Sequence, residues 1–344
     1  MDEVLKDAYT VLFPAFGTLE IDEKVTRYLE RGGVSLLLGE SREEYVARGM
    51  SQERINGETA EQFRALARTA RRIAGSVVIA VDQELGGIQR LHSLAPALPS
   101  VREAQSMPTS EVAARCAAVA QTARELGVNL FLAPISDVVV GPNPWLEGRN
   151  LGPEPREVGR LACAFTRGVQ AAGVAACAKH FPGHPSAELD PALAEAIVDC
   201  TEAELMPTLE VFRCLIADGV RAIMVGPAIV AAMDPIFPSS TSHATVSFLR
   251  TQMAFDGLVI SDDLDGPGIL WGRAIEDCAV AAIAAGVDLL LVSSESGLDR
   301  IAEAIASATE KGNLERARLA EAARRVRAFA EELDYLRDDE ETSE

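Results

Sequence analysis

EVAARCAAVAQTARELGVNLFLAPISD, residues 111–137, sets two patterns end to end. Glu111–Gly127 is alanine-rich with Arg and Glu at helical spacing, and Val128–Asp137 is an apolar run that closes on an aspartate. A strand with one wet face alternates polar and apolar residues. A run of Val, Leu, Phe and Ala without alternation reads instead as a parallel strand buried on both faces. The same unit recurs along the chain. Apolar runs stand at Thr10–Phe16, Gly33–Gly39, Ser76–Asp82, Gly173–Phe181, Val220–Gly226, Gly257–Leu264 and Gly286–Ser293, which with Val128–Asp137 makes eight.

Repeated strand-then-helix units imply a parallel sheet with crossover helices. Eight of them in 344 residues predict an α/β fold of the (β/α)8 TIM type, which takes roughly 250 residues plus insertions. A doubly wound open sheet is the alternative, weakened because no G-x-G-x-x-G follows an early strand. No stretch rich in Pro, Gly or Ser separates two halves. Residues 1–344 therefore read as one barrel domain, with EELDYLRDDEETSE (residues 331–344) as an acidic, frayed tail.

Composition limits the partners. Apolar residues make up 48% of the chain, enough for a large core, and the formal charge of −20 argues against nucleic acid or an anionic membrane surface. Six scattered cysteines form no CxxC pair and read as reduced thiols rather than disulfides or a zinc site. The start lacks a cationic patch followed by an apolar stretch, and no apolar run reaches membrane-spanning length, so a cytoplasmic protein is expected.

A barrel of this kind carries its active site where the strands end. Asp82 ends run three, Asp137 run four, Lys179 and His180 run five, and Asp262 and Asp263 run seven. Asp137 and Asp263 read more readily as caps for following helices. The pair Lys179–His180, beside a Pro-Gly turn, and Asp262 read as ligand-facing. His92 and His243 read as structural or loop residues, and Trp145 as either a sugar-stacking face or packing. No cluster has metal-ligand spacing, and no cofactor is implied.

Four segments in order carry a family resemblance: VDQELGGIQRL (Val81–Leu91), NPWLEGRNLGPEP (Asn143–Pro155), KHFPGH (Lys179–His184) and AFDGLVISDDL (Ala254–Leu264). The chain resembles glycoside hydrolase family 3, in its single-domain bacterial β-N-acetylglucosaminidase branch. The resemblance implies a carbohydrate substrate and a retaining mechanism. Asp262 would be the nucleophile, with Asp82, Arg90, Arg149, Lys179 and His180 gripping sugar hydroxyls and the N-acetyl group. Lys179 and His180 would act there as donors. It also implies an acid/base histidine in an Asp-Ser-His triplet. Counting from Lys179 gives Asp190 for the aspartate and Ala192 for the histidine, so Asp190 is the surviving catalytic position and the proton carrier is missing.

Further departures from the branch are Pro185 after the second histidine, Gly226–Pro227 where relatives carry Ala-His, and Gly87 where they carry arginine. General acid–base catalysis is worth roughly 10²- to 10⁴-fold, so its loss is not a detail. His184, Glu188, Asp190 and Glu195 are the nearby surrogates. Three readings follow: a glycosidase with an atypical acid/base, a transferase or phosphorylase using an activated donor, and a non-catalytic sugar-binding protein.

Overall fold

Each of the eight apolar runs contributes one strand to a parallel sheet in the computed structural model, which describes residues 2–341. The strands are β1 (Leu12–Phe16), β2 (Ser35–Leu38), β3 (Val78–Val81), β4 (Leu130–Phe131), β5 (Ala175–Phe181), β6 (Ala222–Val225), β7 (Leu258–Ser261) and β8 (Leu290–Ser293). Chain neighbours pair from β1 to β7, and β8 pairs with β1. The seam between β7 and β8 is closed by a parallel bridge at Ile260–Leu289, with Ser261 N donating to Leu289 O. The sheet thus curls into a ring, and the expected TIM-type barrel is the observed one.

The unbroken apolar runs have a simple cause. In β3, Val78 and Ala80 join the cluster inside the barrel, while Ile79 and Val81 face outward into the layer beneath the helices. Both faces of each strand are dry, so polar alternation would bury unpaired groups. Fully burying one such side chain contributes about 1.5–3 kcal/mol. Helices cover the outside. Several start on capping boxes, among them Ser100–Glu103 and Thr201–Glu204, which satisfy backbone donors that otherwise lack partners.

One end of the barrel is plugged. Val326, Phe329, Ala330 and Leu333 of the helix Arg316–Glu341 belong to the same interior cluster as Phe13, Val78 and Ile260. This corrects the frayed tail expected from residue 331. Leu333 is only 1% exposed and Asp334 pairs with Arg71 at 3.1 Å, so the acidic composition masked an apolar stripe that closes the barrel. Residues 342–344 of that expected tail lie outside the described residues.

At the other end the strands run out of apolar sequence into charge. The loops after β5 and β6 add a two-stranded parallel sheet, Ile197–Val198 with Ile229–Val230, beside the mouth.

Candidate active site

A cavity of about 600 Å³ opens where the strands end, within the size range of ligand sites. Asp82, Arg149, Lys179, His180, Asp262 and Asp263 all line it, together with Glu40, Arg42, Tyr45, Trp145 and Ala192. The ring of strands places β3 and β7 four strands apart, so Asp82 and Asp262 face each other across the mouth.

The β3 side is an ion-pair network. Lys179 Nζ lies 2.5 Å from Asp82 Oδ1 and 2.9 Å from Glu84 Oε1. Glu84 also receives Arg149, through Nη2 at 2.6 Å and Nε at 3.1 Å. Burial alone would raise the Glu84 carboxyl, but Arg149 and Lys179 hold it well below the usual carboxylate range. Burial likewise opposes the Lys179 ammonium, and Asp82 and Glu84 overcome it and keep it charged. Lys179 is therefore already committed to carboxylates, whereas Arg149 Nη1 is buried without a partner among the described residues. A Cβ at Gly87 would collide with Glu84 Oε2, so the network packs tightly against this glycine.

The β5 side is organised by Asp137, which is fully buried. Its Oδ2 accepts from His180 N and Nδ1, each at 3.0 Å, and its Oδ1 accepts from His184 N at 2.9 Å and Nδ1 at 3.0 Å. Burial would raise this carboxyl, and the two imidazoles pull it far below the ordinary value. Asp137 is thus no helix cap but a brace for two rings. Because an ionised carboxylate only accepts, it fixes a proton on each Nδ1. Burial lowers the His180 pKa against the opposing pull of Asp137. His180 Nε2 faces Asp262 Oδ2 at 4.0 Å.

Asp137, His180 and His184 bring three ligand-type atoms within 4.8 Å, a grouping the sequence spacing did not suggest. Both Nδ1 atoms already hydrogen-bond to Asp137. Trp145 packs on both rings, with centroids 4.2 Å from His180 and 4.9 Å from His184, and is 3% exposed. It also lines the cavity, so it packs on the rings and borders the site at once. A Cβ at Gly226 would collide with the His184 ring, so the glycine at residue 226 and the seating of His184 go together.

Asp262 follows β7. Its backbone N donates to Val225 O and Ser240 Oγ, each at 3.0 Å, and its Oδ1 accepts from Asp263 N at 2.8 Å. The other oxygen, Oδ2, is buried and has no hydrogen-bond partner among the described residues. One carboxylate oxygen is anchored and the other is left free at the cavity wall. Asp263 caps no helix either: its Oδ1 accepts from Asp265 N at 3.1 Å, and Gly266 precedes the short helix Pro267–Leu270.

The loop after β5 brings residue 192 to the cavity. Pro191 O accepts from Gly268 N at 2.9 Å, which ties the loop to the segment that follows Asp262. Ala192, the position that the resemblance assigns to the triplet's histidine, therefore lines the cavity. Asp190 turns inward beneath it: Oδ1 accepts from Ala192 N at 2.9 Å and Oδ2 lies 4.0 Å from Arg48. Arg42 Nη2 reaches Ala192 O at 2.7 Å.

Two histidines and one arginine lie away from the cavity lining. Arg90 is fully buried, paired bidentately with Glu58 at 2.7 and 2.8 Å, and braces Gly39 O at 3.0 Å. His92 joins the same Glu58 at 3.1 Å, and His243 is exposed at the start of the helix His243–Ser247. The residue the sequence reading missed is Glu40. It stands one position past the apolar run Gly33–Gly39.

The comparisons agree with this architecture. Residues 29–329 match the model of the glycosyl hydrolase family 3 N terminal domain. A beta-hexosaminidase of Idiomarina loihiensis is 32% identical over 273 residues, 74% of this chain and 79% of that protein. One from Pseudomonas aeruginosa is 32% identical over 250 residues, 70% of this chain and 73% of its own length. Among solved structures, a glycoside hydrolase family 3 beta-N-acetylglucosaminidase from Paenibacillus superposes with a TM-score of 0.86 at 27% identity. That match covers 98% of this chain and 63% of the Paenibacillus chain.

Proposed function

The chain belongs to glycoside hydrolase family 3, and from that premise we propose that it is a retaining glycosidase of the β-N-acetylhexosaminidase kind, with Asp262 as its nucleophile. The single observation that carries the reading is the free oxygen of Asp262. A buried carboxylate oxygen without a partner is unfavourable unless a substrate supplies one. In the reaction Oδ2 forms a bond to the anomeric carbon as the aglycone leaves with the bonding electron pair. Water then attacks the same carbon and gives up a proton to solvent, and the C–Oδ2 bond breaks to release Asp262 as carboxylate. Asp82 and the free Nη1 of Arg149 grip the sugar, with His180 Nε2 hydrogen-bonded to a hydroxyl.

Proton transfer is where this enzyme departs from its relatives. Alanine at residue 192 cannot protonate a leaving oxygen, so bonds to poor leaving groups are cleaved slowly and bonds to good ones are favoured. Arg42 supports a second reading. It is a cation on the wall beside Ala192, suited to an anionic leaving group or acceptor, as a transferase or phosphorylase would use. We also read residues 2–341 as one barrel domain of a cytoplasmic protein without nucleic-acid partners. All six cysteines are free and five are buried, and no helix among the described residues is long and apolar enough to cross a membrane.

The test is intact-mass measurement after incubation with an activated fluorosugar analogue of N-acetylglucosamine, whose leaving group needs no proton. An adduct on the parent chain, absent from Asp262→Asn, is the expected result. No adduct, with sugar binding still detectable by calorimetry, would replace the enzyme by a sugar-binding protein.

A further inference from the structure

Glu40 stands at the end of β2, next to Asp82 on β3, and its Oε2 is buried without a hydrogen-bond partner among the described residues. The charges that face it are those of Asp82, Glu84, Lys179 and, from behind, Arg90. Arg90 is committed to Glu58, and Arg54 completes that group by pairing with Glu44 and Glu58, so the rear cluster balances itself. What remains is Glu40, Asp82 and Glu84 against Lys179 and Arg149, which is three carboxyls for two cations. With all three ionised the wall is one positive charge short, and the shortfall lies at the cavity.

We propose that the missing cation is a protonated amine of the substrate, held between Glu40 and Asp82 on the side of the ring away from the bond that Asp262 attacks. This rests on the reading of Asp262 as nucleophile, because Asp82 and Asp262 face each other across the mouth and so fix which end of the sugar each meets. A hydroxyl at that ring position can bond to Asp82, but it leaves the carboxyl of Glu40 without a counter-charge. An ammonium satisfies both, since it has three donors and supplies the absent charge. The substrate class is therefore an amino sugar, or an amino-substituted ring of similar size, with its free amine opposite the glycosidic carbon. The raised pKa of Glu40, about 7 through burial and the nearby Asp82 charge, fits a carboxyl that awaits a cation.

Calorimetry with two probes tests this: methyl N-acetyl-β-glucosaminide and its 4-amino-4-deoxy analogue, each titrated into the parent protein and into Glu40→Gln near pH 7. The amine is expected to bind the parent at least about tenfold more tightly, the scale of one charge-assisted hydrogen bond, and the ratio should fall toward one in Glu40→Gln. Equal affinities in the parent would overturn the inference, as would an amine preference that survives in Glu40→Gln. Running the fluorosugar adduct assay on the same preparations separates the two proposals. An adduct without an amine preference removes this inference alone, whereas no adduct and no binding of either probe removes both.

Discussion

The two walls of the mouth use the same kinds of side chain and end in different states. On the β5 wall, Asp137 accepts four hydrogen bonds from two histidines, and every contact of that carboxylate stays within the protein. On the β2–β3 wall, Glu84 is satisfied just as fully by Arg149, Lys179 and Ile88 N, yet Glu40 beside it has an oxygen with no partner. On one wall the carboxylate is closed on its own histidines and sets the orientation of the rings, although His184 Nε2 stays unpaired among the described residues. The other is left open by one charge. A buried polar group that is fully paired fixes a geometry, whereas one left unpaired is kept at a cost and points to something the protein binds.

The closed wall should be the more damaging one to break. Asp137→Ala removes the acceptor of two backbone N–H groups and two imidazole N–H groups at once. A loss of about 3–5 kcal/mol in unfolding free energy is expected, of the size seen when one partner of a buried charged pair is deleted. The effect also has a pH signature. Asp137 is held below its ordinary pKa in the folded state, so its contribution is present above the unfolded value and is lost as pH falls through the folded one. Denaturant titrations should therefore show the gap between parent and variant narrowing in acid. A gap under ~1 kcal/mol at neutral pH would mean that the two rings are held by packing against Trp145 instead.

The next effect lies at the join between the walls, where the loop after β5 meets the segment after β7. Ala192→His restores a ring at the cavity, directly above the carboxylate of Asp190. The variant is expected to hydrolyse an alkyl N-acetyl-β-glucosaminide roughly 10²-fold faster than the parent, near the lower end of what general acid–base catalysis supplies. For a dinitrophenyl glycoside the first step should gain little, because that leaving group needs no proton. Steady-state rates on both substrates make the comparison. An equal gain on both would show that the histidine acts through binding or loop order and not as a proton carrier.

Sequence alone carried the barrel, because all eight strands are buried on both faces and so read as unbroken apolar runs. It carried Asp262, Asp82 and Lys179 for the same reason: charge directly after such a run has to stand at the mouth. The failures have physical causes too. Arg90 sits in a motif that faces the cavity at Asp82, but a bridge between Gln83 and Gln89 folds that segment back on itself and sends the arginine behind the strand to Glu58. Asp137 resembles any polar strand end until the fold places two histidines from β5 and the loop after it around the carboxylate. The helix that plugs the barrel was hidden because its apolar stripe, ending at Leu333, runs into an acidic sequence.

The smallest expected effect concerns the open wall, and its sign is opposite to that of the first. Glu40 has a folded pKa of about 7, raised by burial and by Asp82, so between the unfolded value and about 7 the folded state holds a proton that the unfolded state has released. Stability must then fall as pH rises through that window, and the full penalty stands above it. Glu40→Gln keeps the shape and removes the titration. The variant should match the parent closely near pH 4.5 and exceed it by about 2–3 kcal/mol near pH 8, measured by urea unfolding without ligand. A substitution that stabilises the protein inside its own candidate active site separates the walls most directly, because removing a carboxylate from the β5 wall does the reverse. If Glu40→Gln is neutral or destabilising at both pH values, Glu40 already has a counter-charge in the free protein. The two walls would then be closed alike, and no place would remain for an ammonium from the substrate.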